Sequence, residues 1–131
     1  MAIEPSEMTA EMIDFVTERH LATLTIVMPT GEPHVSPVGF TWDPESGLAR
    51  VITWAGAKKV RLLADGPLAA VLCQVDGGRW LALHGPATVT ADVDVNADAE
   101  RRYAERYRPP GDRGADRRTI EIPVERVLGR A

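Results

Sequence analysis

The stretch Ala22-Thr23-Leu24-Thr25-Ile26-Val27-Met28, then Pro29-Thr30-Gly31-Glu32, then Pro33-His34-Val35-Ser36-Pro37-Val38-Gly39-Phe40-Thr41-Trp42, decides the class of fold. In its first run Ala22, Leu24, Ile26 and Met28 alternate with Thr23, Thr25 and Val27. Successive side chains of a strand point to opposite faces, so this run has one core face and one threonine-rich face. The central tetrad holds the proline, glycine and short polar residues of a turn, and a second extended run follows over residues 33–42. A hairpin results.

The same logic extends outward. Asp43-Pro44-Glu45-Ser46-Gly47 is a second turn leading into a third strand over 48–53, which makes a three-stranded meander. Runs 68–75 and 79–89 are joined by Asp76-Gly77-Gly78, a strong hairpin signal, and Gly85-Pro86 is expected to mark a bulge or bend in the second. The last strand, 119–127, alternates Ile120, Ile122 and Val124 with Glu121, Pro123 and Glu125. Between them the period changes. Residues 9–19 place Met12, Ile13, Phe15 and Val16 on one side of a helix that Thr9 can cap. Val60, Leu62 and Leu63 suit a short helix after Gly56, stopped by Asp65-Gly66-Pro67, and residues 96–107 are helical by propensity until Pro109-Pro110-Gly111. The expected order is αβββαββαβ: a mainly β fold with short helices, whose six antiparallel strands close into a barrel because closure removes exposed edges.

At 131 residues the chain lies below the ~150 typical of one domain, so residues 1–131 are read as a single domain. With 44% apolar residues it can build a core without staples. The lone cysteine, Cys73, cannot form an internal disulfide and suits the reducing cytoplasm. No apolar run nears the ~20 residues that cross a bilayer, and Glu4, Glu7 and Glu11 are unlike a secretory signal, so a cytoplasmic protein with no membrane partner is expected. The net charge of −4 argues against nucleic-acid binding, but it is uneven. Up to Asp98 six basic residues face thirteen acids, whereas beyond it nine arginines face six acids, so the C-terminal third suits an anion. Arginines outnumber lysines thirteen to two, and the two lysines, Lys58 and Lys59, are adjacent.

Few residues invite chemistry. His20, His34 and His84 are too dispersed for a local metal motif, no H-E-x-x-H occurs, and no metal site is expected. His34, Ser36 and Asp76 include the residue types of a nucleophilic triad, but no G-x-S-x-G surrounds the serine. Pro37 and Gly39 interrupt an otherwise good strand. That suits either an edge protected against aggregation or a flat ligand lying against exposed backbone. Lys58, Lys59 and Arg61 open a short helix, where free N–H groups and the helix dipole favour a phosphate; the alternative is a solvated basic turn. Trp42, Trp54 and Trp80 suit core or dimer contacts. Arg101, Arg102, Arg106 and Arg108 read as a solvated helix face from which some reach an anion across a subunit interface.

Several runs together resemble a known family. Glu18-Arg19-His20-Leu21-Ala22-Thr23-Leu24, Pro33-His34-Val35-Ser36-Pro37-Val38-Gly39-Phe40-Thr41-Trp42-Asp43-Pro44 and Arg50-Val51-Ile52-Thr53 are similar to the flavin/deazaflavin oxidoreductases of group B. These belong to the pyridoxamine phosphate oxidase-like split-barrel superfamily. Leu72-Cys73-Gln74-Val75-Asp76-Gly77-Gly78-Arg79-Trp80-Leu81 and Arg102-Tyr103-Ala104-Glu105-Arg106-Tyr107-Arg108 resemble the branch containing the deazaflavin-dependent biliverdin reductases.

The resemblance implies a homodimer of split β-barrels that holds coenzyme F420, or alternatively FMN, in a groove between protomers. It implies that His34, Val35, Ser36 and Pro37 line the ring system. Ala57, Lys58 and Lys59 would hold the phosphate region, and Asp76, Gly77, Gly78, Arg79 and Trp80 would stand beside the coenzyme. The implied activity is hydride transfer from the reduced deazaflavin to a small planar acceptor: a biliverdin-like tetrapyrrole, a quinone or an enone. No protein nucleophile is needed, and no catalytic residue is singled out. An FMN-binding split-barrel protein and a non-enzymatic dimer that sequesters F420 or a tetrapyrrole are the competing expectations. Two features depart from the family pattern. Val60-Arg61-Leu62-Leu63-Ala64-Asp65 stands where many relatives carry an asparagine and further arginines, and Trp54 replaces a smaller residue, which narrows the expected pocket.

Overall fold

A computed structural model describes residues 1–131. After a single turn of 3-10 helix (Pro5–Glu7) come α1 (Ala10–Phe15), β1 (Ala22–Val27), β2 (Pro33–Val38), β3 (Thr41–Asp43) and β4 (Leu48–Trp54). Then follow α2 (Lys58–Leu62), β5 (Leu68–Asp76), β6 (Arg79–Thr90), α3 (Val93–Arg106), a 3-10 turn (Gly114–Asp116), β7 (Arg117–Pro123) and β8 (Arg126–Arg130). All pairings are antiparallel, in the order β2-β1-β5-β6-β7-β4-β3, with β8 also on β6. No helix is long and apolar enough to cross a membrane.

The mainly β expectation holds, but two details are corrected: there are eight strands rather than six, and the sheet does not close. The expected strand over 33–42 breaks at Gly39-Phe40 into β2 and β3, which end the strand order without pairing to each other. At that corner helix α3 satisfies the backbone in place of a neighbouring strand. Phe40 N donates to Tyr107 Oη at 3.1 Å, and Arg106 Nη1 donates to Phe40 O at 2.6 Å. The expected strand over 119–127 breaks where Pro123 lacks an N–H. Beyond it Val124 N donates to Gly47 O at 3.0 Å and Glu125 N to His84 O at 2.8 Å, and the chain passes from β4 to β6.

The core is one cluster of 20 buried residues, and Ala22, Leu24 and Ile26 face it in the expected alternation. Burying Leu24, Ile26 and Leu72, each 0% exposed, stabilises the fold by roughly 1.5–3 kcal/mol apiece. Thr9 caps α1 by accepting from Met12 N, but the helix stops at Phe15, short of the expected Arg19. No bulge marks Gly85-Pro86, because the β5–β6 register runs unbroken through Ala70↔Gly85 and Ala69↔Pro86. Gly85 serves another end. A Cβ there would lie 2.1 Å from Pro123 O, so the glycine admits the chain as it changes sheet partners.

Candidate functional site

Where β2 and β4 end, they meet the start of α2 and the loop after α3 around a cleft of about 550 Å3. Lys59 Nζ lies 3.4 Å from Ser36 Oγ, to which it donates, so the proline-interrupted strand and the cationic helix start are neighbours. Burial lowers the Lys59 pKa. Ala57, the cap residue of α2, offers no side-chain acceptor, which leaves the first N–H groups of α2 without a capping oxygen. Among the cleft residues Thr53 is 2% exposed and its Oγ1 has no hydrogen-bond partner. An orphaned buried hydroxyl is costly unless a ligand or water satisfies it.

The opposite wall comes from far along the chain. Tyr103, Arg108, Arg113 and Arg117 all border the cleft. Arg117 is fixed in place, donating to Thr53 O at 3.2 Å and Gly111 O at 2.6 Å and pairing with Glu100 at 3.3 Å. Arg113 lies 4.7 Å from the Trp54 ring centroid, and Trp54 itself is 41% exposed on the cleft wall. Lys58, Lys59, Arg108 and Arg113 form no ion pair with any carboxylate. The cleft therefore offers a flat wall, an indole, an unsatisfied hydroxyl and uncompensated positive charge. That combination fits a planar anionic ligand with polar ring edges.

The expected site residues divide. Ser36, Pro37, Ala57 and Lys59 gather at or beside the cleft, and Lys58 is exposed on the same helix start. His34 and Val35 share β2 with them, His34 half-buried with an unpartnered Nδ1 and Val35 57% exposed. Asp76, Gly77, Gly78, Arg79 and Trp80 do not line this cleft. They form the β5–β6 turn, where Arg79 binds Glu18 at 2.9 and 3.1 Å and Asp76 at 2.5 Å. His20 stands 3.4 Å from Glu18 and 3.7 Å from Asp76, and Arg79 bridges the two carboxylates of this group. Sequence reading missed Thr53, Tyr103 and Arg113, whose shared location is set by how α3 and its following loop dock on the sheet. Only Pro109-Pro110-Gly111, which ends the helix, signalled that this segment turns back.

With that geometry in view, the profile of the pyridoxamine 5'-phosphate oxidase family matches residues 8–131. The chain belongs to this family. A biliverdin reductase from Mycobacterium tuberculosis that depends on reduced coenzyme F420 is 50% identical over 127 residues, covering 96% of this chain and 90% of the relative. Among solved structures, an F420 reductase superposes with a TM-score of 0.69 at 23% identity, covering 88% of this chain and 94% of the other. A conserved hypothetical protein from Mycobacterium tuberculosis superposes at 0.76 with 21% identity, covering 93% and 83%. At these identities the solved structures establish the pyridoxamine 5'-phosphate oxidase fold alone.

Proposed function

We propose that this protein is an oxidoreductase that uses coenzyme F420 to reduce a planar conjugated acceptor of the biliverdin type, and that it works as a cytoplasmic homodimer. The observation that carries the reading is the meeting of Ser36, Pro37 and Lys59 at one cleft whose cations lack carboxylate partners. The name of the 50% identical relative supports both the coenzyme and the acceptor class. When bound, the reduced coenzyme supplies a hydride; the chain's task is to align donor and acceptor carbons and keep water out.

In this reading His34, Val35, Ser36 and Pro37 border the ring system, and Thr53 Oγ1 satisfies its hydrogen bonding at a ring-edge oxygen. Ala57, Lys58 and Lys59 hold the phosphate with the free N–H groups of α2. Asp76, Gly77, Gly78, Arg79 and Trp80 reach the coenzyme from the second protomer. Support for a dimer is the outward face of the sheet, where Leu21, Val35 and Val75 are 65%, 57% and 61% exposed.

The test is a titration with F420 followed by its fluorescence, turnover of biliverdin with reduced F420, and sedimentation equilibrium for the dimer. Micromolar or tighter F420 binding with biliverdin reduction is expected. Binding of FMN in preference to F420 would replace the coenzyme assignment, and binding of F420 without turnover across tetrapyrrole, quinone and enone acceptors would leave a carrier rather than an enzyme.

A further inference from the structure

Adjoining the cleft is a second cavity of about 410 Å3, walled by Arg19, His20, Leu21, Tyr103, Tyr107 and Arg108. Tyr103 and Arg108 border both spaces, so the two are neighbouring chambers. The aromatic wall is held rigidly. The two tyrosine rings lie 4.8 Å apart, and a Cβ on Gly39 would come within 3.0 Å of Tyr103 and 3.1 Å of Tyr107, so the rings pack directly on the glycine backbone. Tyr107 Oη donates to His20 O at 2.7 Å while accepting from Phe40 N at 3.1 Å. Burial raises the Tyr107 pKa, which keeps that hydroxyl protonated.

The charge of the chamber is unbalanced. Arg79 is engaged by Glu18 and Asp76, Arg102 by Asp98 and Asp43, and Arg106 by Glu18 O, Phe40 O and Gln74 Oε1. Arg19 and Arg108, in contrast, pair with no carboxylate anywhere in the chain and are both exposed. No acid lines the chamber, and Glu18 and Asp76, which lie beside its His20, are both held by Arg79. A guanidinium recognises a carboxylate through two parallel hydrogen bonds, and tyrosine faces accept a flat conjugated body.

We infer that this second chamber is the acceptor subsite and that Arg19 and Arg108 recognise carboxylate arms on a flat conjugated acid. The inference rests on the proposed reductase function and deepens it. Arg108, on the boundary of both chambers, tethers the acceptor next to the Pro37 wall, where a coenzyme ring would lie. Acceptors without carboxylates would lose that tether, so the site selects conjugated dicarboxylates over neutral quinones and enones of equal size.

The test uses the full chain and direct binding, without coenzyme, of biliverdin and its dimethyl ester, followed by visible absorbance and tryptophan quenching. The expected result is about 25-fold to 100-fold tighter binding of the diacid. Arg19→Gln and Arg108→Gln each weaken diacid binding by about fivefold to tenfold while leaving the diester unchanged, and the double variant erases the preference. Melting temperatures near wild type show that these exposed changes leave the fold intact. Equal affinity for diacid and diester, a preference that survives the double variant, or no binding of either probe overturns the inference. A parallel F420 titration separates the two claims. Diacid preference without F420 binding removes the reductase reading, and with it the acceptor role, and leaves only dicarboxylate recognition by Arg19 and Arg108; F420 binding without diacid preference removes the subsite alone.

Discussion

Replacing Arg106 with leucine tests how the open corner of the sheet is held. The guanidinium donates to three separate elements: Glu18 O at 2.8 Å, Phe40 O at 2.6 Å and Gln74 Oε1 at 2.6 Å. It also stacks 4.6 Å from the Phe40 centroid and 5.1 Å from that of Tyr107. Gln74 is 0% exposed and already uses its amide on Phe15 O at 2.7 Å, so Arg106→Leu strands its oxygen in the core. Charged hydrogen bonds contribute ~1.5–3 kcal/mol each and an orphaned buried acceptor costs ~1–3 kcal/mol, while relief of guanidinium desolvation returns part of this. The expected net loss is roughly 3–4 kcal/mol, a fall in melting temperature of roughly 10–15 °C at this chain length. The assay is urea unfolding by circular dichroism, with Gln74→Leu and the double variant alongside. Because the double variant removes donor and acceptor together, its loss is expected to be smaller than the sum of the singles by about 1 kcal/mol or more. A loss under about 1 kcal/mol for Arg106→Leu, or strict additivity with Gln74→Leu, would refute the account of how α3 anchors the corner.

Three further outcomes follow from the same geometry. Lys58→Ala with Lys59→Ala weakens F420 binding by roughly 10–100-fold yet moves the melting temperature by only about 2 °C, since neither lysine holds a carboxylate; unchanged affinity by fluorescence titration removes the phosphate assignment. Gly85→Ala drives a methyl group to 2.1 Å from Pro123 O, a backbone atom, and is expected to lose about 3 kcal/mol or more, read as a lowered urea midpoint. The Ser46 hydroxyl foremost, with Arg102, the Glu45 amide and Arg50, lowers the Asp43 pKa from 3.8 to about 2 against the opposing effect of burial. Its folded pKa is depressed, so the stabilisation is present above pH 4 and is lost as pH falls from about 4 towards 2. After allowance for solvent screening this amounts to about 1 kcal/mol, so Asp43→Asn should be less stable by that amount at pH 6 and level with wild type near pH 2 by urea midpoint.

Where local pattern alone sets conformation, the sequence could be read directly. The alternation in 22–28, the turn at Asp76-Gly77-Gly78 and the short helix at Lys58 and Lys59 all appear near the expected positions. Ser36, Pro37 and Lys59 also meet as the interrupted strand and lone lysine pair suggested. The missed breaks at Gly39-Phe40 and Val124-Glu125 have partners 67 residues away in Tyr107 and 41 residues away in His84. No pattern within a strand records which distant group will take its hydrogen bonds.

The sequence by itself determined the mainly β class, the hairpin turns and one cationic corner, because period, glycine placement and charge act over a few residues. Only the tertiary structure decided that the sheet stays open, that Thr53 is left without a partner, and that Tyr103 and Arg108 stand between two neighbouring chambers. Those outcomes depend on where α3 and its following loop come to rest against β3, β4 and β7. That docking is selected by the burial and hydrogen-bond satisfaction of the whole chain at once.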